Sequence, residues 1–349
     1  MPKDLQISEH QLGALLIHAG LPASFTSEQL SQHNHLWSIR TEDGDFFLKA
    51  HTRDWYDWNP MRAASLAVSQ ETSAYQILGE AGLSTPEIVV SDLTSSNPIG
   101  WPCLLLSALD GRPLTDQLAD AEPSDFDEIL EATGSYLRRM HSIEFEHGGY
   151  LITGPPDAPP DPDGWQHWIW TVKEFRRKAD ETWADDRKTT STRLIDEILS
   201  FAAPLWEAMA IEFEPPSFIT GDCHAGQFFV LCEDGRWEVT GVVDMEVASA
   251  GTPLADLFKF GVEMAGRFSS DTNWWKPLFR GYGREPAFDH VRLAFMAAEH
   301  INYKCLGPHS WPGTRSDILG HLLHATDWNA LFDLKSGSVG KVKGLSDGS

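Results

Sequence analysis

The most constraining feature of the sequence is the stretch GDCHAGQFFVLCEDGRWEVTGVVDMEVASAG, residues 221–251. Two runs rich in β-branched and aromatic residues, FFVLC and WEVTGVV, flank Glu233-Asp234-Gly235-Arg236. Asp-Gly between such runs predicts a hairpin, because the favoured two-residue turns need residues that tolerate positive φ. A tight hairpin returns the chain to where it started. Asp222 and Gln227, just before the first strand, are therefore expected near Asp244, just after the second. Two carboxylates and an amide gathered at one end of a hairpin have a chemical use. They can hold a divalent metal through hard oxygen ligands and place an acceptor beside an attacking hydroxyl. Magnesium needs only one or two carboxylates when substrate phosphates complete its shell.

Other segments supply a frame around this hairpin. In HLWSIRTEDGDFFLKAH, two strand-like runs flank Glu42-Asp43-Gly44, and Lys49 ends the second run. The stretch SLAVSQETSAYQILGEAGL has helical periodicity, contains Glu71 and stops at Gly82. EIVVSDL and WPCLLLSAL read as strands, and Asp110-Gly111-Arg112-Pro113 breaks the chain. A long helix follows, with Ser124 as its expected cap and Phe126, Ile129, Leu130, Thr133, Leu137 and Met140 on one face. GPPDAPPDPDGW reads as an extended loop. Trp165, Trp168, Trp170, Phe175 and Trp183 fall in a helical-looking segment and are expected to fill a core. From Pro253 to Leu334 the pattern is mostly helical.

Composition narrows the partners. The 349 residues suit two lobes rather than one small core. With 27 basic and 51 acidic residues the formal charge is −24, which repels nucleic acid and anionic membrane surfaces. That charge, with the loop carrying Asp157, Asp161 and Asp163, favours a cationic substrate. Cys103, Cys223, Cys232 and Cys305 form no C-x-x-C pair and read as free thiols. The N-terminal stretch reads as an amphipathic helix rather than a signal peptide, and no apolar run approaches ~20 residues. These features place the protein in the cytoplasm.

The string GDCHAGQFFV…GVVDMEVASAGTPLADL resembles the catalytic segment of the aminoglycoside phosphotransferase and choline-kinase-like family. That family usually reads His-Gly-Asp, four residues, Asn, a hairpin, and a strand ending in Asp. The resemblance covers most of the chain. The Lys49 strand, Glu71 seven residues before Leu78, CLLLSALDGRPL, and Arg139-Met140-His141-Ser142 all fall in the family's order. It implies an α+β, bilobal, protein-kinase-like fold, with a small β-rich N-lobe (1–109) and a larger, mostly helical C-lobe (110–334). A helical insert would span about 150–214, and 335–349 would form a flexible tail. The implied activity is transfer of a phosphoryl group from ATP, with GTP also open, to a hydroxyl of a small molecule. Aminoglycosides, other antibiotics, amino alcohols and sugars are all open as acceptors. Asp222 would orient that hydroxyl and accept its proton. Asp244 and Gln227 would bind Mg²⁺. Lys49, fixed by Glu71, would contact the α- and β-phosphates. The backbone at Ser107 and Leu109 would bind adenine. Asn34, in the turn between the first two strands, would approach the phosphates.

The sequence departs from the family in places. Thr220 stands where the family has histidine, and Gln227 where it has asparagine. Glutamine keeps the carbonyl oxygen on a longer stem, so the loop must retreat to make room for a metal. These two departures motivate an alternative, a non-catalytic kinase-like nucleotide-binding or regulatory protein. Thr252 replaces an aspartate before Pro253, while Asp256 keeps the later one and is expected to brace the catalytic loop. His224 is expected to orient that loop. Glu246 reads either as a brace or as an extra metal contact.

Overall fold

Strand alternation in the N-terminal region decides which layer each side chain faces. The computed structural model describes residues 7–31, 35–51, 64–151, 171–186, 190–306 and 314–333. Helix α1 (Glu9–His18) opens with a capping box in which Ser8 and Gln11 each satisfy the other's backbone N–H. Then come β1 (Phe25–Ser31), β2 (Leu36–Thr41), β3 (Gly44–Ala50), α2 (Ala64–Glu80), β4 (Ile88–Asp92) and β5 (Cys103–Ser107). The five strands form one antiparallel sheet in the order β1-β2-β3-β5-β4. Successive residues of a strand point to opposite faces. Phe46, Leu48 and Ala50 of β3 and Cys103 and Leu105 of β5 share a core with Trp37, Ile39 and the α1 leucines. Leu104 and Leu106 face the other way and join Val68, Ala74, Tyr75 and Leu78 of α2 in a second, larger core. Lys49 alternates with Leu48 and Ala50, so β3 delivers its side chain to the α2 face.

The chain continues through β6 (Arg112–Pro113), α3 (Leu114–Asp120), α4 (Pro123–His141) and β7 (Gly149–Tyr150). Next are α5 (Val172–Asp186), α6 (Thr192–Ala202), α7 (Trp206–Phe213), β8 (Ser217–Ile219), β9 (Phe228–Glu233), β10 (Arg236–Val242) and β11 (Ser249–Gly251). It ends in α8 (Pro253–Arg267), α9 (Trp275–Tyr282), α10 (Phe288–Leu306), α11 (Arg315–His324) and α12 (Trp328–Phe332). The α4 stripe is buried as its periodicity predicts, including Ile129, Leu130, Thr133, Leu137 and Met140. Its start differs from expectation: Glu122 is the N-cap and Pro123 the first helical residue, so Ser124 lies inside the helix. Proline fits that first position because its φ is preset and its missing N–H would have no helical partner.

Two three-stranded sheets hold the centre of this second part, β10-β9-β6 and β7-β11-β8. The break expected at Asp110–Pro113 contains a strand. Arg112 pairs with Val230 and Pro113 with Phe229, which ties the linker to the hairpin. Phe175 and Trp183 are buried and belong to the core. Trp165, Trp168, Trp170, the proline-rich loop and the 335–349 tail lie outside the described residues. Cys103 and Cys223 are buried thiols and Cys232 is an exposed one. No helix among the described residues is long and apolar enough to cross a membrane.

Candidate active site

The hairpin forms as the turn chemistry predicts. Glu233 pairs with Arg236, and Asp234 and Gly235 between them have φ of 50° and 75°. At its open end Phe228 pairs with Val242, and the Val243 N–H donates to the Gln227 carbonyl at 3.0 Å. Gln227 and Asp244 are thus brought to the same end of the ladder. Asp244 itself has φ of 66°. Aspartate tolerates this left-handed region better than most residues, yet it costs on the order of 1 kcal/mol and is met mostly where function holds it.

Lys49 bridges the two parts of the chain. Its Nζ lies 3.1 Å from Glu71 Oε2, 2.5 Å from Asp244 Oδ1 and 3.3 Å from Glu246 Oε2. Tyr75, one turn beyond Glu71 on α2, donates its hydroxyl to Glu71 Oε1 at 3.0 Å. Burial alone would lower the Lys49 pKa, but Asp244, Glu246 and Glu71 hold it well above the ordinary lysine value. The ammonium therefore persists in a buried setting. Burial pushes the Glu71 carboxyl up against the pull of Lys49. A second tie runs beside this one: Gln70 Nε2 donates to the Ala248 carbonyl at 2.5 Å.

Asp222 sits on the loop between β8 and β9. Its Oδ1 meets two cations, His224 Nε2 at 3.2 Å and Lys259 Nζ at 3.0 Å. Burial alone would raise the Asp222 pKa, but these two partners hold it well below the usual carboxylate range. Burial alone would lower His224, yet its hydrogen bonds to Asp222 and Glu263 push it up to about 10. His224 Nδ1 lies 3.7 Å from Glu263, and Glu263 also accepts the Ala225 N–H.

The loop is braced from α8. Asp256 is fully buried and accepts from Thr220 N–H at 2.8 Å, Thr220 Oγ1 at 3.0 Å and Gly221 N–H at 3.0 Å. His141, the last residue of α4, places Nε2 3.3 Å from Asp256 and Nδ1 3.0 Å from the Tyr282 hydroxyl. This is the brace expected of Asp256, and Thr220 supplies two of its donors, the N–H and the hydroxyl. Gly221 has φ of 76°, and a Cβ there would stand 2.4 Å from the Val247 carbonyl oxygen. Only glycine allows the loop to press this closely on the segment after Asp244.

Asp244, Glu246 and Gln227 each carry oxygen donors of the hard kind that suits a cation such as Mg²⁺, and the first two both meet Lys49 Nζ. Gln227 is 8% exposed, and its Oε1 accepts the His224 N–H at 3.0 Å. An amide oxygen has two lone pairs, so one remains for a metal. The longer stem thus folds back to cap the loop. At the end of β5, the Ser107 N–H donates to the Glu87 carbonyl and Ala108 N–H to the Asp45 carbonyl. Among the described residues the Leu109 N–H has no partner. Asn34 lies outside the described residues. Lys259, Glu263, Tyr75 and Gln70 were not anticipated from sequence. The first two carried a signal: Asp256, Lys259 and Glu263 are polar at helical spacing in an otherwise apolar segment.

Comparison with known proteins gives the family and the fold. The model of the phosphotransferase enzyme family matches residues 29–295. No curated protein matches the sequence. Among solved structures, the ADP-bound aminoglycoside phosphotransferase APH(2″)-Ib is similar at 14% identity and a TM-score of 0.52, covering 94% of this chain and 100% of that one. The GDP and kanamycin complex of APH(2″)-IIia is similar at 12% identity and a TM-score of 0.53, covering 86% and 92%. A choline/ethanolamine kinase family protein from Mesorhizobium loti is similar at 16% identity and a TM-score of 0.51, covering 94% and 98%. These similarities support an α+β, bilobal, kinase-like fold. Matched over most of its length, the chain belongs to the phosphotransferase enzyme family.

Proposed function

We propose that the protein transfers the γ-phosphoryl group of ATP to a hydroxyl of a small molecule, with Asp222 as the base. The observation that carries this reading is the Lys49 bridge, which joins Glu71 on α2 to Asp244 at the end of the hairpin. The three donors of this ammonium face three carboxylates, so phosphate oxygens would take over from Asp244 and Glu246 while Glu71 keeps its bond. Lys49 would hold the α- and β-phosphates, with Glu71 and Tyr75 fixing its reach. Asp244 and Gln227 would hold Mg²⁺, which when bound supplies neutralising charge to the phosphates. The Ser107 carbonyl and the Leu109 N–H would take the adenine edge, and Asn34 would approach the phosphates. Asp222, paired with two cations, is a weak base before reaction. That suits a transfer in which the hydroxyl is oriented first and loses its proton late.

The same reading divides the chain after Leu109 into a nucleotide lobe and an acceptor lobe, with a helical insert over about 150–214. GTP is the second nucleotide to test, since one similar structure is a complex with GDP. Among acceptors, aminoglycosides, amino alcohols and sugars all offer hydroxyls, and the net charge of −24 favours cationic ones. One observation favours a second reading, a nucleotide-binding protein without turnover: Gln227 Oε1 is already engaged by the His224 N–H. Nucleotide consumption against an acceptor panel separates the two. We expect ADP release with at least one acceptor, and its loss in Asp222→Asn with the fold intact. Full activity in Asp222→Asn would refute the base assignment. A melting-temperature rise with MgATP but no turnover on any acceptor would favour the second reading.

A further inference from the structure

The charged residues of α8 that face the catalytic loop each meet it at a different point. Asp256, Lys259 and Glu263 are spaced by three and four residues, so they share one face of the helix. Asp256 takes the backbone at Thr220 and Gly221, and Glu263 takes the Ala225 N–H. Lys259 alone reaches the reactive carboxylate. Its side chain is mostly buried, and its Nζ lies 3.0 Å from Asp222 Oδ1. His224 Nε2 approaches that same oxygen at 3.2 Å. Both cations therefore approach Oδ1, and the Asp222 side chain is 37% exposed, which leaves room for a ligand to reach its other oxygen.

We propose that Lys259 is the positioning residue of the phosphoryl acceptor: by holding Oδ1 of Asp222, it presents Oδ2 to the incoming hydroxyl. A carboxylate free to rotate about its Cβ–Cγ bond presents either oxygen and points in many directions. A carboxylate pinned at one oxygen from below keeps the other in a fixed orientation. The proton of the acceptor hydroxyl passes to Oδ2, the hydroxyl oxygen bonds to the γ-phosphorus, and the bond from that phosphorus to the leaving nucleotide oxygen breaks. Lys259 takes no part in these bond changes, and its ammonium remains charged throughout. Within this cluster Asp222 and Glu263 are balanced by Lys259 and His224.

This inference rests on the phosphotransfer reading, and its test is chosen to keep the two apart. The probe is MgATP, with water as the acceptor in one set of assays and the acceptor panel in the other, and ADP release is followed. Lys259→Met is expected to lower kcat about 10- to 100-fold, the scale of a misplaced catalytic group. The KM for MgATP should stay near wild type, and the melting temperature should fall only modestly, because His224 still faces the partly exposed Asp222. Lys259→Arg, which keeps the charge, should restore kcat to within about tenfold of wild type. Lys259→Gln serves as a second neutral variant should the methionine fail to fold. Wild-type kcat in either neutral variant overturns the role of Lys259 and leaves the phosphotransfer reading standing. A joint fall of kcat, nucleotide affinity and melting temperature that arginine does not rescue makes Lys259 a structural residue and also overturns the proposal. An absence of ADP release from the wild type under every condition overturns the phosphotransfer reading itself, and the positioning role with it.

Discussion

Replacing Asp256 by asparagine isolates the brace beneath the catalytic loop with almost no change in shape. The carboxylate serves two buried backbone N–H groups through different oxygens. Thr220 N–H donates to Oδ2 at 2.8 Å, and Gly221 N–H to Oδ1 at 3.0 Å. Asparagine keeps one oxygen and turns the other into a donor. If the NH₂ takes the Oδ2 position, the Thr220 N–H faces a donor. If it takes the Oδ1 position, the Gly221 N–H is stranded, although the Thr220 hydroxyl can rotate to accept. Either way one buried N–H is left unsatisfied, at a cost of about 1–3 kcal/mol, and the remaining bonds weaken because their acceptor is now neutral. We expect a loss of about 2 kcal/mol for Asp256→Asn, and more for Asp256→Ala, which strands both N–H groups and leaves a hole. Urea denaturation followed by circular dichroism measures this loss. Hydrogen exchange at Thr220 and Gly221 reports whether it is local. Turnover should fall as well, because Asp222 is the next residue. An Asp256→Asn protein within about 0.5 kcal/mol of wild type, with unchanged exchange at both amides, would refute the brace.

Lys49→Met should lower stability by about 3–5 kcal/mol, because it leaves the buried Glu71 without its counter-charge, and should abolish turnover. Adding Glu71→Gln should recover part of the stability and none of the activity, as read by the denaturation midpoint and ADP release. Gln227→Asn should cost about 0.5–1.5 kcal/mol, since the shorter stem gives up the bond from the His224 N–H. Activity in that variant should persist with an altered magnesium requirement, measured by titrating Mg²⁺ against ADP release; a complete loss would show that the longer side chain is fitted to this loop.

What the sequence revealed of the fold follows how local each determinant is. The hairpin was legible because its turn residues, Asp234 and Gly235, specify their own backbone, and register then brings Gln227 and Asp244 together without further information. The α4 stripe was legible for the same reason, since a helix of 19 residues repeats its signal several times. Strand β1 was not legible. FTSEQLS has no apolar alternation because it is an edge strand with most of its residues exposed. Strand β6 is only two residues long, too short for any period, and exists because β9 pairs with it. The link between Lys49 and Glu71 spans 22 residues and was readable only through family order, never from either residue alone.

The contacts of α8 show where such reading stops. Periodicity places Asp256, Lys259 and Glu263 on one face, but it does not give the angle at which the helix docks on the loop. That angle decides everything about their roles. With the observed docking, the face spans the loop from Thr220 to Ala225, so a carboxylate, an ammonium and another carboxylate fall in turn on backbone, on Asp222, and on the Ala225 N–H beside His224. Displacing the helix by one turn would bring Asp256 toward Asp222, two like charges in a buried setting, and would strand the Thr220 and Gly221 amides. The charge order along α8 therefore selects a single docking register. The stability of the loop and the orientation of its aspartate are set by the same packing, and variants that loosen α8 should reduce both together.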